Sequence, residues 1–185
     1  MPPDLTASEV DAFYARAAQH STTTPDGLET VFSLSSELGY GYNRTVALYP
    51  GLDMTIFHET WPDGLICHGL EAPHRVQFMV HLSGTVDTGS FLHQDADHSY
   101  IGGSGIQQAA TSVHGGNQPL IGVDIHLEPQ LLKQLFAMPT GELPPELEPL
   151  LRGDDWQQVF SPRVTGAIRT DGGAADDGLS VFGHD

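Results

Sequence analysis

The sequence carries very little positive charge. Its 185 residues include 7 Lys and Arg against 24 Asp and Glu, which gives a formal net charge of −17 with the ten histidines counted as neutral. Binding to a nucleic-acid backbone depends mainly on Lys and Arg that neutralise phosphates, and anionic membranes attract the same residues. The composition therefore predicts no direct nucleic-acid contact and no membrane partner.

Cysteine and long apolar runs are also nearly absent. The single cysteine, Cys67, excludes an internal disulfide framework, so nothing in the sequence implies an oxidising compartment. No stretch approaches the ~18 apolar residues of a membrane-spanning helix. The N-terminal Met1-Pro2-Pro3-Asp4 lacks the basic and apolar regions of a signal peptide. We therefore expect a cytoplasmic protein.

Several common catalytic motifs are missing as well. The sequence contains no Walker A loop, no GxGxxG, no HExxH and no GxSxG. One cysteine cannot form the paired ligands of a structural zinc site. These absences leave no assembled nucleophile, base or phosphate loop that can be recognised by motif.

The N-terminal segment is predicted to be helical. Thr6 and Glu9 have the spacing of a capping box. The apolar positions that follow recur at helical spacing, and they are Val10, Phe13, Tyr14 and Ala17. Residues 21–27 resemble a linker, and residues 28–38 fit either a short helix or an irregular segment.

From Tyr40 onward the apolar period changes to two residues, which favours β-strands. Turn residues recur every 8–12 positions, the pattern of a sandwich or small barrel. We predict about eight strands, near residues 40–48, 52–59, 65–71, 75–83, 85–92, 97–101, 106–113 and 120–127. The predicted fold class is therefore mainly β.

After Glu128 the pattern becomes helical again. Pro129 suits a first helical turn, and the apolar stripe that follows contains Leu131, Leu132, Leu135 and Phe136. Further short helices are predicted from Pro144, over 154–160, and from Ser161 to about Arg169. The last residues are acidic and Gly-rich, which predicts a disordered tail. The expected segments are 1–38, a β-domain over 39–128, a helical extension over 129–170, and the tail over 171–185.

Histidines are the chemically distinctive feature of the sequence. The segment from His93 to His98 offers two imidazoles and two carboxylates, and fits either a polar turn or a metal site. Asp124 and His126 share one strand face. We expect them to point to solvent or a partner, with a metal role as the alternative. His81 shares a face with Gln77 and is expected to be exposed.

Six residues are the candidate ligand contacts. Ile56 and His58 lie on an apolar strand face, where a histidine is either a core residue or a ligand contact inside a barrel. His68 also lies on an apolar strand face and has the same two interpretations. Phe78 and Val80 are expected to face inward. Trp61 precedes a proline in a turn, where it either rims a pocket or covers the loop.

Several strand segments together resemble one known family. Residues 39–52 (GYGYNRTVALYPGL) resemble the beginning of the sensor domain of AraC-family transcription regulators, in particular the siderophore- or iron-responsive branch. Residues 77–84 (QFMVHLSG) are similar to that family's strand ending in LSG. Further similar motifs are SGI at 104–106, VDIHLEP at 123–129 and LPPEL at 143–147. The similarity extends over about residues 38–169.

This resemblance implies a cupin-like jelly-roll barrel that binds a small molecule in its interior, such as a ferric chelate, with no certain resident cofactor and no catalysis. The helices that follow would mediate a homodimer, or a heterodimer with a full-length regulator. In such regulators two helix-turn-helix units then bind DNA. We expect this chain to lack them, because only 16 acidic, Gly-rich residues follow Arg169.

Two alternatives remain open from the sequence. The first is a small metal-binding cupin enzyme that uses the histidines, although the His-x-His pair typical of such enzymes is absent. The second is an interaction protein that keeps the sensor's partner surface and sequesters a full-length regulator.

Overall fold

The computed structural model describes residues 1–35, 38–89 and 93–166. The described chain is mainly β, as the sequence predicted, with α-helices α1 (Ala7–Ala18) and α2 (Pro129–Phe136). Its strands are β1 Asp4–Leu5, β2 Thr22–Thr23, β3 Glu29–Ser35, β4 Tyr40–Tyr49, β5 Leu52–Thr60, β6 Leu65–Gly69, β7 Ala72–His74, β8 Val76–Ser83, β9 Val86–Asp87, β10 His93–Gln94, β11 Tyr100–Gly102, β12 Ser104–Gln107, β13 Ala110–His114, β14 Pro119–Leu127, β15 Leu151–Trp156 and β16 Val159–Phe160.

The largest sheet has eight strands in the order β16-β11-β8-β14-β5-β4-β3-β2, and all its neighbours run antiparallel. Strand β14 lies near its centre and pairs with β5 from Leu127–Leu52 to Pro119–Thr60. The turn between β4 and β5 contains Gly51 at φ +82°, a conformation that glycine adopts without steric penalty. This long central pairing fixes which side chains share each face.

Two smaller sheets complete the fold. One has the order β1-β6-β13-β9-β10 and the other β15-β12-β7. None of the three sheets closes on itself within the described ranges. The predicted eight-stranded jelly-roll barrel therefore stays a prediction, while the mainly β class is confirmed.

Three apolar clusters hold the layers together. The first joins α1 to the sheets through buried Phe13, Leu34, Trp61 and Leu65. The second packs α2 on the large sheet through Val76, Leu127, Leu132 and Leu150. The third lies between the large sheet and β9, and consists of Phe57, Val86 and Leu120.

The two strongest helix predictions are confirmed. The capping box of α1 is present: the Thr6 N–H donates to Glu9 Oε2 at 2.9 Å, and the Glu9 N–H donates to Thr6 Oγ1 at 3.4 Å. Helix α2 begins at Pro129 as expected. Neither α-helix is long and apolar enough to span a membrane.

Other local predictions were wrong because strand pairing overrides weak helical signals. Residues 29–35 form β3, and the predicted linker contains β2. The helix predicted from Pro144 is replaced by a 3₁₀ turn, Glu148–Leu150, and the helix predicted over 154–160 is replaced by β15 and β16. These strands add to β12 and β11.

The C-terminal predictions are tested only in part. Arg163 forms an isolated β-bridge with His98 near the start of the helix predicted from Ser161 to about Arg169. The rest of that helix, from residue 167, and the predicted tail over 171–185 lie outside the described residues.

Helix α2 offers a test of the second apolar cluster. Leu132 is fully buried, whereas Leu135 on the same helix is 57% exposed. We expect Leu132→Ala to lower the free energy of unfolding by about 2–5 kcal/mol through lost burial and a residual cavity. Leu135→Ala should change it by less than about 0.5 kcal/mol. Urea denaturation of the two variants measures the difference, and equal effects would contradict the packing of α2.

Candidate functional site

Strand register places polar side chains in rows across one face of the large sheet, because directly paired residues point to the same side. One row runs across β8, β14, β5 and β4 as His81, Gly122, Phe57 and Asn43. The next row consists of Met79, Asp124, Thr55 and Thr45. These two rows define the inner face of the large sheet.

Gly122 leaves room for the Phe57 ring to lie beside His81 in the first row. A Cβ at this position would lie 2.4 Å from Phe57 Cζ, so the phenyl ring occupies the space over the glycine. The ring thereby reaches His81, with centroids 5.4 Å apart and an edge-to-face arrangement. The missing side chain on β14 therefore positions an aromatic ring against an imidazole.

The inner face and the sheet β1-β6-β13-β9-β10, here called the second sheet, line an open cavity of ≈ 410 Å³. This volume falls within the usual range for small-molecule sites. Helix α1 contributes to the wall through Tyr14, and smaller cavities of ≈ 240 and ≈ 320 Å³ share lining residues with it. The wall consists of Tyr14, Phe32, Asn43, Thr45, Thr55, Phe57, Glu59, Met79, His81, Val86, Thr88, Gln94, Ser112, His114, Leu120 and Asp124.

Two carboxyl groups line this cavity with little access to water. Glu59 is 6% exposed and accepts a hydrogen bond from Asn43 Nδ2 at 2.7 Å. Both oxygens of Asp124 accept from Gln77 Nε2 at 2.9 Å. Burial raises the pKa of Glu59, and it raises the pKa of Asp124 to about 7. Near neutral pH a large fraction of Asp124 is therefore protonated.

Two imidazoles complete the polar part of the wall. His81 is 2% exposed, and its Nε2 lies 3.1 Å from Gln94 Oε1. An amide oxygen only accepts, so Nε2 carries the proton and Nδ1 of the neutral ring presents a lone pair. Burial lowers the pKa of His81, and burial together with His81 lowers the pKa of His114 to about 4. The Nδ1 atoms of both rings are buried without a hydrogen-bond partner.

The electrostatic character of the cavity follows from these groups. Among the described residues no Lys or Arg lines it, its imidazoles stay neutral, and its carboxyls resist ionisation. The His81 lone pair and the carboxyl oxygens are acceptors. The cavity is therefore suited to a neutral or cationic molecule that donates hydrogen bonds, and it is poorly suited to an anion.

The structure places none of the six predicted contact residues on this wall. Ile56, His58, Phe78 and Val80 alternate with the lining residues and lie on the opposite face of the large sheet. There His58 packs against Tyr42 with ring centroids 5.6 Å apart, and Phe78 packs against the second apolar cluster. Ligand contact by these residues stays a prediction, and the cavity does not favour it.

The other two candidates also lie elsewhere. Trp61, expected either to rim a pocket or to cover the loop, is 1% exposed inside the first apolar cluster. His68 is exposed on β6, where its ring nitrogens lie 2.7 Å from Asp4 Oδ1 and 2.9 Å from Thr111 Oγ1.

The expected exposure of His81 was wrong, because His81 is 2% exposed, whereas the Asp124 side chain, expected to point to solvent or a partner, stays 18% exposed. Both faces of the central strands are covered, so alternation separates the two faces without showing which one meets water. One sequence feature could have identified the cavity residues: they are polar residues within central strands, in a chain of which only 17% of residues are charged. Glu59, His81 and Asp124 are of this kind.

The His93–His98 segment was interpreted as either a polar turn or a metal site, and the structure shows a turn within it. Asp95 Oδ1 accepts from the backbone N–H of Asp97 at 2.8 Å and of His98 at 3.0 Å, the pattern of an Asx turn. In residues 1–35, 38–89 and 93–166, no group of three or more His, Cys, Asp or Glu is arranged to hold a metal ion.

The raised pKa of Asp124 can be tested through stability. The unfolded state releases this proton near pH 3.9 and the folded state near pH 7, so ionisation of Asp124 destabilises the fold as the pH rises through this interval. The Asp124→Asn variant has no carboxyl group to ionise at this position. We therefore expect the free energy of unfolding of the variant minus that of the unmodified protein to increase by about 3 kcal/mol between about pH 4 and pH 8.

Denaturant titrations at several pH values measure this difference, with exposed Asp63→Asn as the matched control. A difference that stays constant across the pH range would contradict the buried, hard-to-ionise carboxyl.

Comparison with known proteins gives one informative result. No curated protein and no solved structure is significantly similar to the chain. Residues 38–170 match the family described as the regulatory protein PchR N-terminal domain. This match covers more than half of the chain, including β4, β5, β8 and β14 of the inner face and the β13 and β9 residues of the opposing wall, whereas Tyr14 and Phe32 of the wall precede it. The chain therefore belongs to the family of PchR regulatory protein N-terminal domains.

Proposed function

We propose that this chain is a sensing domain that binds a small molecule in the cavity between its two larger sheets. The observation that carries the proposal is a cavity of ≈ 410 Å³ lined by His81 and His114, whose imidazole Nδ1 atoms are buried and have no hydrogen-bond partner. Leaving a buried polar atom unpaired costs about 1–3 kcal/mol. A bound molecule that hydrogen-bonds to them would remove that cost.

The ligand class follows from the wall chemistry and the family. The resemblance to siderophore-responsive regulators makes a ferric chelate the first candidate. The absence of Lys and Arg from the described wall, with Glu59 and Asp124 present, favours a chelate of neutral or positive net charge. O–H or N–H donors on the chelate would face His81 Nδ1, and aromatic parts would pack on Phe57 and Phe32.

A sensor needs only different affinities for two conformations. The cavity wall is shared by the large sheet, the second sheet and Tyr14 of α1, so a ligand that contacts all three favours the arrangement in which they are close together. The signal would pass to other parts of a regulator. Dimerisation, an association with a full-length regulator, a cupin-like barrel and the absence of DNA-binding units stay predictions of the resemblance.

The alternative of a metal-dependent cupin enzyme receives less support. The histidines within the described ranges are spread over the fold, and no group of three or more potential metal ligands occurs there. A regulatory-domain family also favours a non-catalytic role.

Binding can be tested with ferric chelates of positive, neutral and negative net charge, using isothermal titration calorimetry. We expect one-to-one binding by at least one neutral or cationic chelate, and at least tenfold weaker binding of anionic ones. The large side chain of Ser112→Phe would occupy the cavity and should abolish binding, because Ser112 lies on its wall.

Thr111→Phe is the matched control, since Thr111 is the neighbouring residue on β13 and is exposed. Binding that survives Ser112→Phe, or that Thr111→Phe abolishes equally, would place the ligand outside the cavity. Failure of every chelate would remove the ferric-chelate candidate.

The lack of direct DNA contact gives a separate prediction. The chain has a net charge of −17, and phosphate contacts require Lys and Arg. We therefore expect it not to bind duplex DNA at physiological salt. Fluorescence anisotropy of a labelled duplex measures this. Micromolar binding that weakens with salt would contradict it.

A further inference from the structure

A second histidine cluster lies outside the ligand cavity. His74 ends β7 in the smallest sheet, and His126 lies on β14 of the large sheet, 52 residues further along the chain. Their Nε2 atoms are 3.4 Å apart, and their ring centroids are 5.1 Å apart. The fold therefore brings together two imidazoles that no sequence motif connects.

The opposite nitrogen of each ring faces an acceptor. His74 Nδ1 lies 2.7 Å from the carbonyl oxygen of Arg75, with Gln157 Nε2 farther away at 3.2 Å. The shorter contact with a carbonyl requires a proton on Nδ1, which leaves the lone pair on Nε2. His126 Nδ1 lies 3.8 Å from Asp124 Oδ1, which is beyond hydrogen-bond distance. A carbonyl that accepts from the outer nitrogen, as at His74, is a usual arrangement of metal-bound histidines.

The separation of the two Nε2 atoms also fits a metal. Two nitrogens about 2.0–2.1 Å from a tetrahedral zinc ion are about 3.3–3.4 Å apart. Burial lowers the pKa of both imidazoles, that of His126 to about 4, so both rings are neutral near pH 7. No proton has to leave before a metal binds.

Nearby charges do not block a cation. Arg75 is the basic residue closest along the chain, and it is paired with Asp53 at 2.7 Å, with Glu128 at 4.0 Å. Asp124 lies on the other side of His126, and because burial raises its pKa to about 7 it contributes only part of a negative charge near neutral pH. His126 is 20% exposed, so water and ions have access to the pair.

We propose that His74 and His126 form a two-imidazole site for a divalent transition-metal ion of the zinc type, bound through both Nε2 atoms. No third His, Cys, Asp or Glu joins them among the described residues, so water completes the coordination. Neither imidazole lines the ligand cavity, so this site and the proposed sensing function can fail separately.

The test uses the chain without any histidine tag, titrated with zinc chloride by calorimetry. We expect one equivalent of zinc to bind, and His74→Gln or His126→Gln each to lose this equivalent or weaken it at least tenfold. The matched control is His68→Gln, because His68 is an exposed histidine on a strand of the second sheet. That variant should keep the equivalent.

A measurement on the unmodified protein guards against variants that fail to fold. In ¹⁵N-detected spectra of the imidazoles, zinc should shift the Nε2 signals of His74 and His126 before those of the other eight histidines. Zinc-induced shifts confined to other histidines, an equivalent that survives both substitutions, or no stoichiometric binding would each overturn the proposal. Ligand binding in the cavity would be unaffected by that result.

Discussion

Polar side chains on the inner face of the large sheet are largely removed from water, and this desolvation sets the chemistry of the site. Glu59 and His81 are 6% and 2% exposed, and the Asp124 side chain is 18% exposed. Charging such groups away from water is unfavourable, so their pKa values move toward the neutral forms. Asn43 and Gln77 satisfy the two carboxyl groups, whereas Nδ1 of His81 has no partner. The inner face is thus polar, largely neutral and incompletely paired.

A face of this kind reduces stability unless it serves another purpose. Apolar residues of similar size could fill the space and would avoid the desolvation penalty. The apolar clusters adjoin the cavity without filling it: Phe32 packs against the first, and Phe57, Val86 and Leu120 form the third. The sheets therefore leave an open volume between them that is lined by both polar and apolar side chains. In a regulatory N-terminal domain, such a volume is the natural place for the molecule that is sensed.

The histidines divide into groups with different chemical environments. His81 and His114 are enclosed in the cavity, His98 belongs to an Asx turn, and His74 and His126 face each other between two sheets. Each environment follows from the element that carries the residue and from what covers it. Residue type alone therefore assigns no common role to the ten histidines.

The mainly β class, the longer strands between residues 40 and 127, both α-helices and the family follow from the sequence alone. Alternation, turn residues, the Thr6–Glu9 capping box and the order of the strand motifs are local signals that need no tertiary contact. Only the tertiary structure decided which strand face lines the cavity and that His74 meets His126. A two-residue period divides a strand into two faces, but the layer that packs on each face decides which one is buried. Here the polar face is covered by the second sheet, so residues whose polarity predicted exposure became the interior of the site.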